Sequence, residues 1–196
     1  MRILALADKA DEQLWDYLDR RLLEDVDLIL ACGDLPAEYL RFIVCFTNAP
    51  VLYVHGNHDE RYDWDEPEGC ECIDDKIYVH DGMRILGLGG SYRYKPGKYM
   101  YTEKEMRRRI WKLKYRLWKS KGFDILVTHA PAFGLGDDVH IAHRGFQAFL
   151  QLMDKFKPKL MVHGHMHADY TPRFQREHLY GQTRVINAYK RTYIEL

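Results

Sequence analysis

The stretch VLYVHGNHD, residues 51–59, carries a short apolar run into a glycine and then into Asn57, His58 and Asp59. Four other stretches share this grammar. Residues 2–7 end on Asp8, 26–31 on Gly33-Asp34, 124–128 on His129-Ala130-Pro131, and 160–163 on Gly164-His165-Met166-His167. Short runs rich in branched apolar residues and bounded by Gly, Asp or Pro predict buried strands. Open α/β sheets hold their ligands just beyond the carboxyl ends of such strands. Between the first three runs the apolar period is helical, with Leu14, Trp15, Leu18 and Leu22 on one face and Leu40, Ile43 and Val44 on another. Pro36 suits the first turn of that second helix. Residues 76–79 and 83–88, joined by Asp81-Gly82, read as a hairpin. Residues 184–187 and 192–196 read as terminal strands. The mixture predicts an α/β protein in layers around two packed sheets, partly antiparallel.

The chain of 196 residues has the size of one domain, 1–196, with 46% hydrophobic residues for a core and 30% charged residues. No apolar run reaches the roughly 18 residues of a membrane span. The first apolar run stops at Asp8, too early for a secretory signal, so a cytoplasmic protein is expected. Cys32, Cys45, Cys70 and Cys72 lack metal-ribbon or redox spacing and read as reduced structural thiols. The formal charge is zero, with 29 basic and 29 acidic residues. Residues 93–121 alone hold 12 Lys or Arg against Glu103 and Glu105, so this stretch carries +10 and the remainder −10.

A lone Asp after a strand is ordinarily a helix cap, and a lone His is ordinarily structural. Asp, Asp, Asn-His, His and His-x-His at five successive strand ends do not fit that reading. Carboxylate and amide oxygens with imidazole nitrogens make a mixed O/N donor set for Mn, Fe, Zn or a similar divalent ion. So many donors exceed the needs of one ion and suit two that share a carboxylate. Gly33, Gly56 and Gly164 let the backbone turn sharply beside them.

GD at 33–34, GNHD at 56–59, THAP at 128–131 and GHMH at 164–167 resemble, in order and spacing, the motifs of the calcineurin-like metallophosphoesterases. The resemblance spans residues 8–167 and implies a four-layer αββα sandwich with two divalent metal ions at the strand ends. It implies Asp34 as the bridging carboxylate, Asn57, His129 and His165 around one ion, and Asp8 and His167 at the other. His58 would stand outside the ligand shell as the catalytic residue. A metal-bound hydroxide would attack phosphorus, with His58 as imidazolium steadying charge or protonating the leaving oxygen. Asp59 is a candidate to orient His58, and His55 and His163 stand as supporting or structural residues.

The family opens with Asp-x-His, whereas here Ala10 follows Asp8-Lys9. That leaves the first site one ligand short. Water would fill the gap, Asp11 would swing in, or only the second ion would bind tightly. The segment 128–145, with His140, His143 and Arg144 within reach of a phosphate, is similar to the class III phosphodiesterase branch. Ala37-Glu38 departs from the Asp-Arg of protein phosphatases. The expected substrate is a phosphodiester or small phosphorylated metabolite. The alternatives are a nuclease using the basic helix and a non-catalytic scaffold that kept the fold.

A basic helical insert is expected at about 91–122. Thr102 and Glu105 form a capping box for a helix over 102–120. Met106, Ile110, Leu113 and Leu117 face a core, while Trp111, Tyr115 and Trp118 lie away from that stripe among lysines and arginines. The tryptophans would pack on the neighbouring 92–101 segment, make a homodimer contact, or bind nucleic acid or another polyanion.

Overall fold

The computed structural model describes residues 1–170 and 174–196. Along the chain, β1 (Arg2–Leu6), β2 (Leu28–Ala31), α1 (Ala37–Val44), β3 (Val51–Tyr53) and β4 (Glu71–Cys72) come first. Next are β5 (Ile77–His80), β6 (Met83–Leu88), β7 (Ser91–Tyr92), β8 (Met100–Tyr101), α2 (Glu103–Lys112) and α3 (Lys114–Lys119). The chain ends with β9 (Ile125–Thr128), α4 (Gln147–Phe156), β10 (Leu160–His163), β11 (Glu177–Tyr180), β12 (Thr183–Asn187) and β13 (Thr192–Glu195). One sheet has the order β13-β1-β2-β3-β4, parallel except for β13, and the other has the order β11-β12-β10-β9-β6-β5. In the second sheet the central strands run parallel and both edge pairs are antiparallel.

The period of two along each strand divides the core. Ile3, Ala5, Leu28, Leu30 and Leu52 of the first sheet meet Ile85, Ile125, Val127, Leu160 and Val162 of the second in one buried cluster. The alternate residues Leu4, Leu6, Ile29 and Tyr53 face outward against Leu14, Leu40 and Ile43. Leu86, Leu126 and Met161 do the same on the far side against Met106, Leu117, Phe149 and Leu152. The result is the expected four-layer α/β sandwich. The Asp81-Gly82 turn is also as expected, with φ of 46° and 77°, and it pairs His80 with Met83.

Two expectations are corrected. No α-helix forms over Leu14–Leu22. Asp11 and Asp19 accept from Gln13 N and Arg21 N, stopping the chain in two 3-10 turns, Glu12–Leu14 and Arg20–Leu22. Local capping by aspartate competes with a helix that its apolar spacing would allow. The basic helix keeps its capping box but divides at Leu113 into α2 and α3. Arg109 before the break bonds the Asp75 carboxylate, and Arg116 after it donates to the Asp75 carbonyl, 2.9 Å away. Glu103 accepts from Gln147 N and Ala148 N, so α2 itself caps the start of α4.

The insert is tied to β3 through Asp74, whose largely buried carboxylate bonds His55 Nδ1 at 2.7 Å and Gly89 N and forms an ion pair with the Arg109 guanidinium at 3.7 Å. Burial opposes charge on Asp74, but His55 and Arg109 hold its pKa below the usual carboxylate value. Burial likewise opposes charge on His55, yet Asp74 prevails and pushes it up to about 9. Replacing Asp74 with alanine leaves a cation without its partner and is expected to cost roughly 3–5 kcal/mol, read from denaturant unfolding. His55 is held protonated in the folded chain, so its contribution is complete below its ordinary value of 6.5 and is lost as pH rises through about 9. The gap in unfolding free energy between wild type and His55→Gln should therefore close over that range. A gap that stays constant with pH would contradict the pairing.

Candidate metal centre

Each strand-end residue is aimed by local backbone geometry. Asp8, Asp34 and His165 have φ of 66°, 57° and 67°, in the left-handed region that non-glycine residues rarely occupy. These turns throw the side chains back over the ends of the strands that precede them. The neighbouring glycines permit the crowding. A Cβ on Gly33 would stand 2.4 Å from Gly56 N, one on Gly56 would stand 2.0 Å from Asp34 Oδ1, and one on Gly164 would stand 2.8 Å from Asp8 Oδ2.

His129 is fully buried at the centre. Its Nδ1 lies 2.8 Å from the Cys32 carbonyl, which can only accept, so Nδ1 carries a proton and Nε2 faces the site. Around Nε2 stand Asn57 Oδ1 at 3.1 Å, His165 Nδ1 at 3.1 Å and Asp34 Oδ2 at 3.3 Å. His165 Nε2 in turn donates to the Ala142 carbonyl at 2.6 Å, which leaves its Nδ1 lone pair turned inward. Four atoms able to ligate a cation thus converge on one point. Donors about 2.1 Å from one ion and at right angles stand about 3 Å apart, so this donor set fits a divalent cation. Asp34, His129 and His165 are one of two groups of this kind among the described residues.

The electrostatics agree. Burial opposes charge on His129, but the adjacent Asp34 and then Asp8 push it up to about 9, so a proton is drawn where an ion fits. Burial and the neighbouring His129 push His165 down to about 3 and keep it neutral. Asp34 is held well below the carboxylate range: burial opposes this, and His129 and the His58 N–H outweigh it.

The other half is thinner. Asp8 Oδ1 is 3.6 Å from His167 Nε2, and both Asp8 oxygens accept from His165 N at 2.9 and 3.0 Å. Ala10 packs with the outer cluster around Leu14. Asp11 does not turn toward the site; it caps Gln13 N at 2.9 Å and pairs with Arg191 at 3.3 Å.

Asp59 has a different task from the one expected. Its Oδ2 accepts from Asp34 N at 2.8 Å and Gly56 N at 2.7 Å, so it clamps the two loops together and does not orient His58. Burial and the Asp34 charge push it up to about 6. The exposed His58 side chain opens onto a cavity of about 210 Å³ shared with Asp8, Asp34, Asn57, His165 and His167. His143 and Tyr94 also line it. His140 instead caps the turn Ile141–His143, and Arg144 lies over the rings of Tyr92 and Phe133. Tyr94, and Tyr189 stacked on His167 at 4.8 Å, carry no motif that sequence reading could have used. Buried His163 bonds the Gly164 carbonyl and plays a structural part. The second cluster, His55, Cys72 and Asp74, already has the Arg109 guanidinium beside it and is unsuited to a further cation.

The chain belongs to the calcineurin-like phosphoesterase family, whose model matches residues 1–169. It is 27% identical over 154 residues to an uncharacterized protein of Haemophilus influenzae, covering 63% of this chain and 64% of that one. It is 24% identical over 197 residues to a UPF0046 protein of Caenorhabditis elegans, covering 87% of this chain and 64% of that one. The chain therefore spans just under two thirds of the length of these curated relatives. Among solved structures, it shares its fold with TT1561 of Thermus thermophilus at a TM-score of 0.65 and 16% identity, covering 95% and 88% of the two chains. It also shares the fold with a 5'-nucleotidase from Candida albicans, at 0.58 and 13%, covering 95% and 45%. GAP50, the anchor in the inner membrane complex of Plasmodium, gives 0.55 and 14%, covering 95% and 70%.

The clamp at Asp59 yields a test of the centre. Asp59→Ala leaves every donor atom in place but frees the Asp34 and Gly56 loops. Calorimetric titration with Mn²⁺ should show affinity about 10–100-fold below wild type. An unchanged Kd would refute the clamp.

Proposed function

We propose that this calcineurin-like phosphoesterase hydrolyses a phosphodiester or a small phosphorylated metabolite, with the whole of residues 1–196 acting as one catalytic domain. The observation that carries the reading is the convergence of Asp34, Asn57, His129 and His165 beside an open cavity onto which His58 faces. We assign these four residues to one divalent ion, and Asp8, His167 and a shared Asp34 to a second, weaker site. Mn, Fe and Zn all suit the donor set. A bound divalent ion supplies Lewis-acid polarisation of the phosphoryl group and an acidified water.

The chain's own groups do the rest. The Cys32 and Ala142 carbonyls fix the tautomers of His129 and His165, so both present lone pairs. The Asp59 clamp holds the Asp34 carboxylate at the mouth of the cavity. His58 donates a proton to the leaving oxygen; its backbone N–H is anchored to Asp34 Oδ1 at 2.8 Å while its ring stays exposed. The cavity of about 210 Å³ admits a phosphoryl group and leaves the remainder of the substrate outside. No helix among the described residues is long and apolar enough to cross a membrane, and all four cysteines are free. We place the chain in the cytoplasm, the compartment expected from its sequence.

A scaffold reading keeps one point in its favour: GAP50, which shares the fold, is the anchor in the inner membrane complex of Plasmodium. An assay of bis(p-nitrophenyl) phosphate and p-nitrophenyl phosphate separates the two readings. Chelation should abolish turnover and Mn²⁺ should restore it. His58→Ala should lower kcat by about 10²–10⁴-fold with metal content unchanged. Wild type and His58→Ala equally inactive with Mn²⁺, Zn²⁺ and Fe²⁺ would defeat the enzyme reading.

A further inference from the structure

Away from the metal centre, the insert and α4 enclose a second concavity of about 480 Å³. Its floor is aliphatic and aromatic, made by Ile110, Leu117, Leu152 and Phe156. Its walls include Trp111 and Trp118, 63% and 76% exposed. Exposed tryptophans contiguous with an apolar floor and rimmed by polar groups have the anatomy of a binding surface. The groove is also a built feature. The Glu103 carboxylate caps α4 from α2 and fixes the angle between its two sides.

Charge decides what fits. Arg107, Lys114 and Lys155 line the groove and no acidic residue does. Arg107 is balanced by Glu103 at 3.1 Å. Lys114 and Lys155 make no ion pair among the described residues; each rests on a groove ring, Lys114 on Trp111 at 4.3 Å and Lys155 on Phe156 at 5.1 Å. Two uncompensated ammonium groups thus stand at the rim of an apolar trough whose volume lies in the ordinary range for small ligands, about 300–1,000 Å³.

We propose that this groove binds a single-chain anionic amphiphile, its acyl tail on the Ile110–Leu117–Leu152–Phe156 floor and its carboxylate or phosphate head between Lys114 and Lys155. Concavity favours a monomeric ligand over a membrane surface, which an amphipathic face meets with an apolar ridge. Two free ammonium groups at the rim of an apolar trough likewise suit one anionic head better than the run of phosphates of a nucleic acid. The site is independent of the phosphoesterase reading and survives its failure.

Dodecanoate, kept below its micelle-forming concentration, is the probe, titrated into the full chain by tryptophan fluorescence and calorimetry. The expected result is one saturable site, with dodecyltrimethylammonium binding at least about tenfold more weakly and a Tm that rises with dodecanoate. Lys114→Glu/Lys155→Glu should weaken dodecanoate about tenfold or more, and so should Trp111→Ala/Trp118→Ala. All four side chains are at the surface of the groove, so these variants should keep the wild-type circular dichroism. Equal affinity for the two head groups, unsaturable uptake with a falling Tm, or affinity unchanged in the lysine variant would each overturn the proposal. Binding confined to phosphatidylglycerol vesicles, with none to dodecanoate, would also overturn it and assign the surface to a membrane.

Discussion

Asn57, Asp34 and His165 all turn acceptor atoms toward His129 Nε2, within 3.1–3.3 Å. Lone pairs and a carboxylate repel at that spacing unless a proton or a metal cation lies among them. Much of the surrounding architecture answers this constraint. The Cys32 and Ala142 carbonyls occupy the outward nitrogens of the two imidazoles, and Asp59 ties the Asp34 loop to the Gly56 loop. Three site residues hold left-handed backbone, and Gly33, Gly56 and Gly164 yield the space that these turns consume. Strain of this kind survives only where the neighbouring structure over-determines it.

The sandwich supplies that rigidity. Residues alternate along β1, β2, β9 and β10 between the shared cluster at the centre and the two helical layers outside. The strand ends therefore cannot shift without moving a close-packed interior. Asp74 links the basic insert to the same frame by bonding His55, Gly89 and Arg109 together. The insert's charge is thereby divided between two tasks. Arg109 and Arg116 face inward to Asp75, whereas Lys114 stays on the rim of the outer groove, opposite Lys155 of α4. Net neutrality of the chain conceals this division, since the insert's +10 and the remaining −10 lie on different parts of the fold.

The strand-end motifs could be read from residue type and order because both reflect local needs. An apolar run must be buried, and a glycine before Asp34, Asn57 or His165 signals a turn wherever the chain goes. The hairpin at Asp81-Gly82 and the cap at Thr102–Glu105 were readable for the same reason. The helix expected over residues 14–22 failed because aspartates at 11 and 19 stop the backbone after single turns, an outcome that apolar spacing does not register. The break at Leu113 was hidden: the bonds that flank it, from Arg109 and Arg116 to Asp75, join residues far apart in the sequence.

The sequence by itself determined the α/β layering, the donor types and the shortage of a ligand beside Asp8. These follow from residue identity and short-range spacing. Only the tertiary structure decided which donors meet. It gathered Asp34, Asn57, His129 and His165 tightly, left Asp8 and His167 as a pair 3.6 Å apart, and turned Asp11 and Asp59 to other tasks. It also added Tyr94 and Ala142 to the cavity and opened the groove between α2–α3 and α4. Such contacts join residues distant in the chain, and the packing of two sheets sets their separation, which linear spacing does not encode.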